Sequence, residues 1–118
     1  MAKYLLLIME SEEAYASAGE AELSATMAAH NAFSAEVGDL GASILGGEAL
    51  QPTATATYLR GTRSSDVQAV DNPSAELKEV LGGYYLIEAP DDDVATEVAK
   101  RCPAGTGYIE MRPIWAFD

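Results

Sequence analysis

The chain of 118 residues is long enough for about one domain built on one modest core. Nineteen acidic side chains against seven basic ones leave a formal charge of −12, which repels phosphate backbones and anionic lipid and argues against nucleic acid and membrane surfaces as partners. Cys102 is the only cysteine, so no disulfide and no thiolate metal site can form within one chain, and the opening apolar run stops well short of the roughly 20 residues a membrane span needs. The expectation is a cytoplasmic protein of ordinary globular composition.

The first strand spans Lys3 to Met9, apolar beyond the lysine and without alternation, as in a strand covered on both sides or feeding an interface. Glu10 to Glu20 is polar and reads as a loop or irregular lead-in. From Ala21 to Leu40 the period changes: Leu23, Met27, Phe33, Val37 and Leu40 share one arc of an amphipathic helix, which Gly41 stops. Ala42 to Leu50 is a strand whose pair Gly46-Gly47 marks a bulge or a close backbone approach. Thr53 to Leu59 alternates Thr and Ala and predicts a half-buried strand, joined through the turn Arg60 to Ser65 to a hairpin partner at Asp66 to Val70.

Asp71 to Ser74 breaks the chain, Ala75 to Val80 predicts a short helix, and Leu81 to Ala89 is the next strand. Asp91 to Asp93 place acids at the start of a second helix; Val94, Val98 and Cys102 form its inward stripe, and Lys100 and Arg101 suit its last turn before Pro103. Gly107 to Ile114 is the closing strand. No repeat, linker or low-complexity segment interrupts the chain, which reads as a single domain over residues 1–118. The fold class is α+β, an antiparallel sheet with two main helices on one face. The other face is too apolar to be left in water, and a second copy of the chain is its economical cover, so a homodimer is expected.

Few residues can carry chemistry. His30, the only histidine, falls inside the apolar arc of the first helix: it is either a core imidazole satisfied by one hydrogen bond or a proton carrier working near neutral pH. Asp71, at a strand end before Pro73, suits ordinary turn chemistry; brought against His30 it would orient the ring. Glu48 follows two glycines and either enters a cleft or stays a solvated strand-end acid. Tyr84 and Tyr85 point to opposite sides of one strand, so one packs in the core while the other can line a pocket with Met27 and Phe33. Arg112 either holds an anionic substrate group or pairs with a neighbouring acid. One histidine and one cysteine cannot make a zinc site, and no phosphate-cradling glycine motif or nucleophile elbow is present, so no cofactor is expected.

Several stretches carry a family resemblance: Lys3-Tyr4-Leu5-Leu6-Leu7-Ile8, the helix segment from Met27 to Phe33, Gly46-Gly47-Glu48-Ala49-Leu50-Gln51-Pro52, Leu81-Gly82-Gly83-Tyr84-Tyr85-Leu86-Ile87 and Glu110-Met111-Arg112-Pro113. In these the chain resembles the YCII-related proteins of the DGPF type, in register over nearly its whole length. The naming motif of that type, Asp-Gly-Pro-Phe followed by Ala-Glu-x-Lys-Glu, aligns with Asp71-Asn72-Pro73-Ser74-Ala75-Glu76-Leu77-Lys78-Glu79, with Asn72 and Ser74 replacing the Gly and the Phe. The resemblance implies a ferredoxin-like fold paired into a dimeric α/β barrel, with His30 and Asp71 together in a cleft. A related YCII-type protein is a dehydrochlorinating enzyme of aromatic degradation, and some DGPF-type proteins are associated with sigma factors. The expected activity is therefore cofactor-free acid–base chemistry (isomerisation, elimination or proton abstraction) on a small organic or aromatic molecule. The alternative is a non-catalytic binding or regulatory module that pairs with a partner such as a sigma factor.

Overall fold

The computed structural model describes residues 1–72, 78–105 and 107–117. In chain order the elements are β1 (Ala2–Glu10), α1 (Glu12–Ala16), α2 (Glu20–Asp39), β2 (Ser43–Ala49), a 3-10 turn (Thr53–Thr55), β3 (Tyr58–Arg60), β4 (Gln68–Val70), β5 (Val80–Ala89), α3 (Asp92–Arg101) and β6 (Tyr108–Pro113). Four strands form one sheet in the order β2-β5-β1-β6, antiparallel at every pairing, and β3 and β4 make a separate hairpin. Since β1 and β2 both run against β5, they are parallel with β5 between them; β5 and β6 flank β1 in the same way. Two split β-α-β units are thus interleaved, one crossing through α2 and the other through α3. The architecture is α+β, and no described helix is long and apolar enough to cross a membrane.

The unbroken apolar run of β1 resolves into two faces. Tyr4, Leu6 and Ile8 are buried, while Leu5, Leu7 and Met9 are half-buried on the opposite side. The buried face continues through Ile87 and Ala89 of β5 and receives Phe33 and Val37 from α2 and Ala95 and Val98 from α3. Cys102 closes this core, its thiol pushed up to about 12 chiefly by burial, in keeping with a small buried hydrophobe. The Tyr4 hydroxyl donates to Asp92 Oδ1 at 2.5 Å, tying the central strand to the first turn of α3. That helix is capped as its sequence suggests: the Asp91 side chain accepts from the Val94 N–H at 2.9 Å, and Lys100 and Arg101 occupy the last turn.

Four sequence expectations change. The polar lead-in holds a helical turn, α1, begun by Ser11, whose side chain accepts from the Ala14 N–H. The strand expected over Thr53 to Leu59 is instead a 3-10 turn followed by the three residues of β3, and its partner shortens to Gln68–Val70. The cause is local: Glu12 accepts from both the N–H and the hydroxyl of Thr53, at 2.6 and 2.8 Å, and Thr55 donates to the Pro52 carbonyl, folding the Thr/Ala stretch back on itself. The arc of α2 is buried only in part, because Leu23 and Met27 remain exposed while Phe33 and Val37 are covered. Finally, the short helix expected over Ala75 to Val80 is not seen at its described end, where Lys78 and Glu79 form a bend and Val80 begins β5; residues 75–77 of it, and most of the stretch aligned with the naming motif, lie outside the described residues.

The chain is flat, 48 × 46 × 18 Å along its principal axes. Its radius of gyration is 16.4 Å. A compact domain of this length would have roughly 13–14 Å.

Candidate functional site

A hollow of about 730 Å³ opens at the end of the sheet where β1 finishes and β5 begins. Its walls come from α1, from the α2 side that presents Met27, His30 and Asn31, from the segment after β2 that includes Leu50 and Pro52, and from Val80 and Leu81. Ile8 and Glu10 of β1 reach it from the sheet. The size suits a small organic ligand.

Tyr85 and His30 meet there. Tyr85 lies on the helix-facing side of β5, paired with Leu6 of β1 and Gly47 of β2. Its ring packs against Phe33 with centroids 5.0 Å apart, so the core fixes its position. Its hydroxyl is hydrogen-bonded to His30 Nδ1 at 2.7 Å. Gly47 makes this possible: a Cβ at that position would stand 2.7 Å from Tyr85 Cδ1 and 2.8 Å from the Tyr84 carbonyl oxygen, so only glycine lets the phenol lie across β2 towards the helix. Burial pulls the His30 pKa below its ordinary value and, with a smaller contribution from Cys102, raises that of Tyr85. Near neutral pH the pair is therefore a neutral imidazole and a protonated phenol.

That contact has two tautomeric forms. Either Nδ1–H donates to the Tyr85 oxygen and Nε2 keeps its lone pair, or the Tyr85 O–H donates to Nδ1 and Nε2 carries the proton. A phenol satisfies both, and interchange between them is what an acid–base group requires.

Of the residues singled out in the sequence, His30, Glu48, Tyr84 and Tyr85 all border the hollow. Glu48 and Tyr84 are register partners on neighbouring strands, and Glu48 is exposed. Asp71 and Arg112 are not brought there. Asp71 follows the hairpin strand β4 and is exposed, and the partner found for the His30 ring is Tyr85. Arg112 pairs with Leu5 on the face of β1 away from the helices, with Nε 3.7 Å from Glu110 Oε2. Met27 lines the hollow as expected, whereas Phe33 lies beneath Tyr85 in the core.

Glu10 was missed by reading the sequence. The sequence pattern puts it in the polar lead-in, yet it is the last residue of β1 and shares the parity of Tyr4, Leu6 and Ile8, which places it on the helix-facing side. It is half-buried, and burial raises its carboxyl pKa. Its Oε2 lies over Gly82, where a Cβ would come within 2.6 Å. Counting the strand parity two residues further would have found it. Among the described residues no group of His, Cys, Asp and Glu is arranged to hold a metal ion.

Comparison with known proteins agrees with this frame. The family model of the YCII-related domain matches residues 2–118. Among curated proteins, an uncharacterized protein of Rhizobium meliloti (strain 1021), R00369, is 37% identical over 68 residues, covering 55% of this chain and 54% of the relative. The match thus spans about half the length of that relative.

Proposed function

The chain belongs to the YCII-related domain family, and from that premise we propose that it is a cofactor-free acid–base enzyme acting on a small organic molecule held in the hollow at His30. The observation that carries this reading is the 2.7 Å contact between His30 Nδ1 and the Tyr85 hydroxyl at the wall of an apolar-lined cavity. In the step envisaged, Nε2 takes a proton from an activated C–H of the substrate. The electron pair left behind moves into a new double bond, either shifting an existing one or expelling a leaving group. The imidazolium then returns its proton to the substrate or gives it to the departing group, and Tyr85 holds the ring throughout. Tyr85 here takes the orienting place that the naming motif would give to Asp71.

The test is deuterium exchange from solvent into a panel of small aryl ketones and enones, followed by NMR. Exchange is expected with the native chain and should fall by about 10²-fold or more in His30→Gln while binding persists, the size expected for loss of a general base. Equal exchange in both proteins overturns the reading. One observation favours a second reading, a non-catalytic binding or regulatory module: among the described residues no carboxylate orients the imidazole, and Asp71 does not border the hollow. Binding without exchange would support it.

The architecture fits a ferredoxin-like unit paired face to face into a dimeric barrel. Leu5, Leu7, Tyr84 and Leu86 form a half-buried apolar strip on the sheet face opposite α2 and α3, and a body only 18 Å thick leaves that face without depth of its own. Sedimentation should return the mass of two chains.

A further inference from the structure

We propose that the hollow selects amine-bearing apolar molecules, with the Glu10 carboxylate accepting the ammonium group and Ile8, Met27, Leu50 and Leu81 holding the apolar body. This rests on the reading of the hollow as a small-molecule site and names the class of molecule that enters it.

The argument is one of charge against burial. None of the chain's seven basic residues borders the hollow. Lys100, Arg101 and Arg112 are engaged elsewhere by Glu97, Glu36 and Glu110. Among the described residues the acids that do border it are Glu10, Glu12, Glu13 and Glu48. A carboxylate or phosphate ligand would enter against this field with no cation to receive it, in a protein already at −12. A cation would enter with it.

The four acids are not equivalent. Both carboxylate oxygens of Glu12 are taken by Thr53. Glu13 and Glu48 are exposed, where water competes for any ion pair. Glu10 alone of the four sits at the end of a core strand, half-buried, on the face that carries Tyr85. Its burial leaves an anion short of solvation, and an ammonium group supplies the missing donors. Gly82 keeps the space above the strand clear for that carboxylate, because a side chain there would meet Oε2 at 2.6 Å. Charge, burial and clearance converge on one acceptor.

The experiment uses the intact chain and three isosteric probes: 2-phenylethylamine, 2-phenylethanol and phenylacetate. Binding is measured by calorimetry at neutral pH, and the His30 ring proton shifts report occupancy of the hollow. The amine should bind roughly tenfold more tightly than the alcohol, as a charge-assisted hydrogen bond allows, and the carboxylate should bind most weakly. In Glu10→Gln the amine's advantage over the alcohol should vanish while the alcohol still binds. If phenylacetate binds as well as the amine, or if Glu10→Gln leaves the preference intact, the amine assignment is overturned and the hollow remains a small-molecule site. If none of the three probes moves the His30 signals, the reading of the hollow itself falls, and the assignment with it.

Discussion

The two long helices on the sheet are put to different use. α2 has 20 residues and α3 has 10, yet each buries two side chains, Phe33 and Val37 in one and Ala95 and Val98 in the other. α3 lies closely on β5 and β6, capped at its start by Asp91 and tied to Tyr4 through Asp92. α2 packs tightly only through Phe33 and Val37 in its second half, and its middle, with Met27, His30 and Asn31, becomes a wall of the hollow. The difference shows that helix length here serves enclosure as well as core area. One end of a continuous sheet is filled, and the other is kept open by glycines at 47, 82 and 83.

The contrast can be broken most forcefully at the filled end. Ile87 is fully buried beneath both helices, and Ile87→Ala should cost about 2–5 kcal/mol in urea unfolding, the range for truncating a buried aliphatic side chain. At the open end the damage should be smaller but aimed at the site. Gly47→Val drives a side chain into the Tyr85 ring and the Tyr84 carbonyl, and an overpacking loss of roughly 1–3 kcal/mol is expected. The same variant should displace the phenol, and the His30 ring signals should move accordingly. Unchanged His30 shifts would show that Gly47 does not seat Tyr85.

The smallest effects are in pH, and their signs are informative. Burial lowers the folded pKa of His30 below its ordinary 6.5, so its neutral form is favoured by folding. The stability tied to it is complete above about pH 6.5 and is lost as pH falls through the lower folded value. For Glu10 burial raises the folded pKa above 4.5, so its share of stability is present below about pH 4.5 and lost as pH rises through the folded value. His30→Gln should flatten the acid slope just below pH 6.5, and Glu10→Gln should raise the melting temperature modestly at neutral pH. If Glu10→Gln lowers it, the carboxylate is already satisfied within the free protein.

Much of the fold could be read from the residues, because long apolar strands and a capped helix are local signals. The ends of β2, β5, α3 and β6 lie within a residue or two of where side-chain pattern and caps put them. The failures lie where a distant group overrode the pattern. Thr53 to Leu59 alternates like a strand, but Glu12 pulls its start into a turn. The site was half legible for the same reason. His30 stood inside an apolar arc and Tyr85 on a central strand, so both were visible. Their pairing was not, because it depends on the register that sets Gly47 beside Tyr85. The glycine pair of β2 was legible as a bulge or a close approach; the register does shift between Ile44 and Gly46, and Gly47 is where the ring of Tyr85 comes closest.

Glu12 joins parts of the chain 41 positions apart: it stands in one wall of the cavity and fastens the turn from which the β3–β4 hairpin springs. One carboxylate thus serves the cavity wall and the root of the hairpin at once, so a change at Glu12 acts on both.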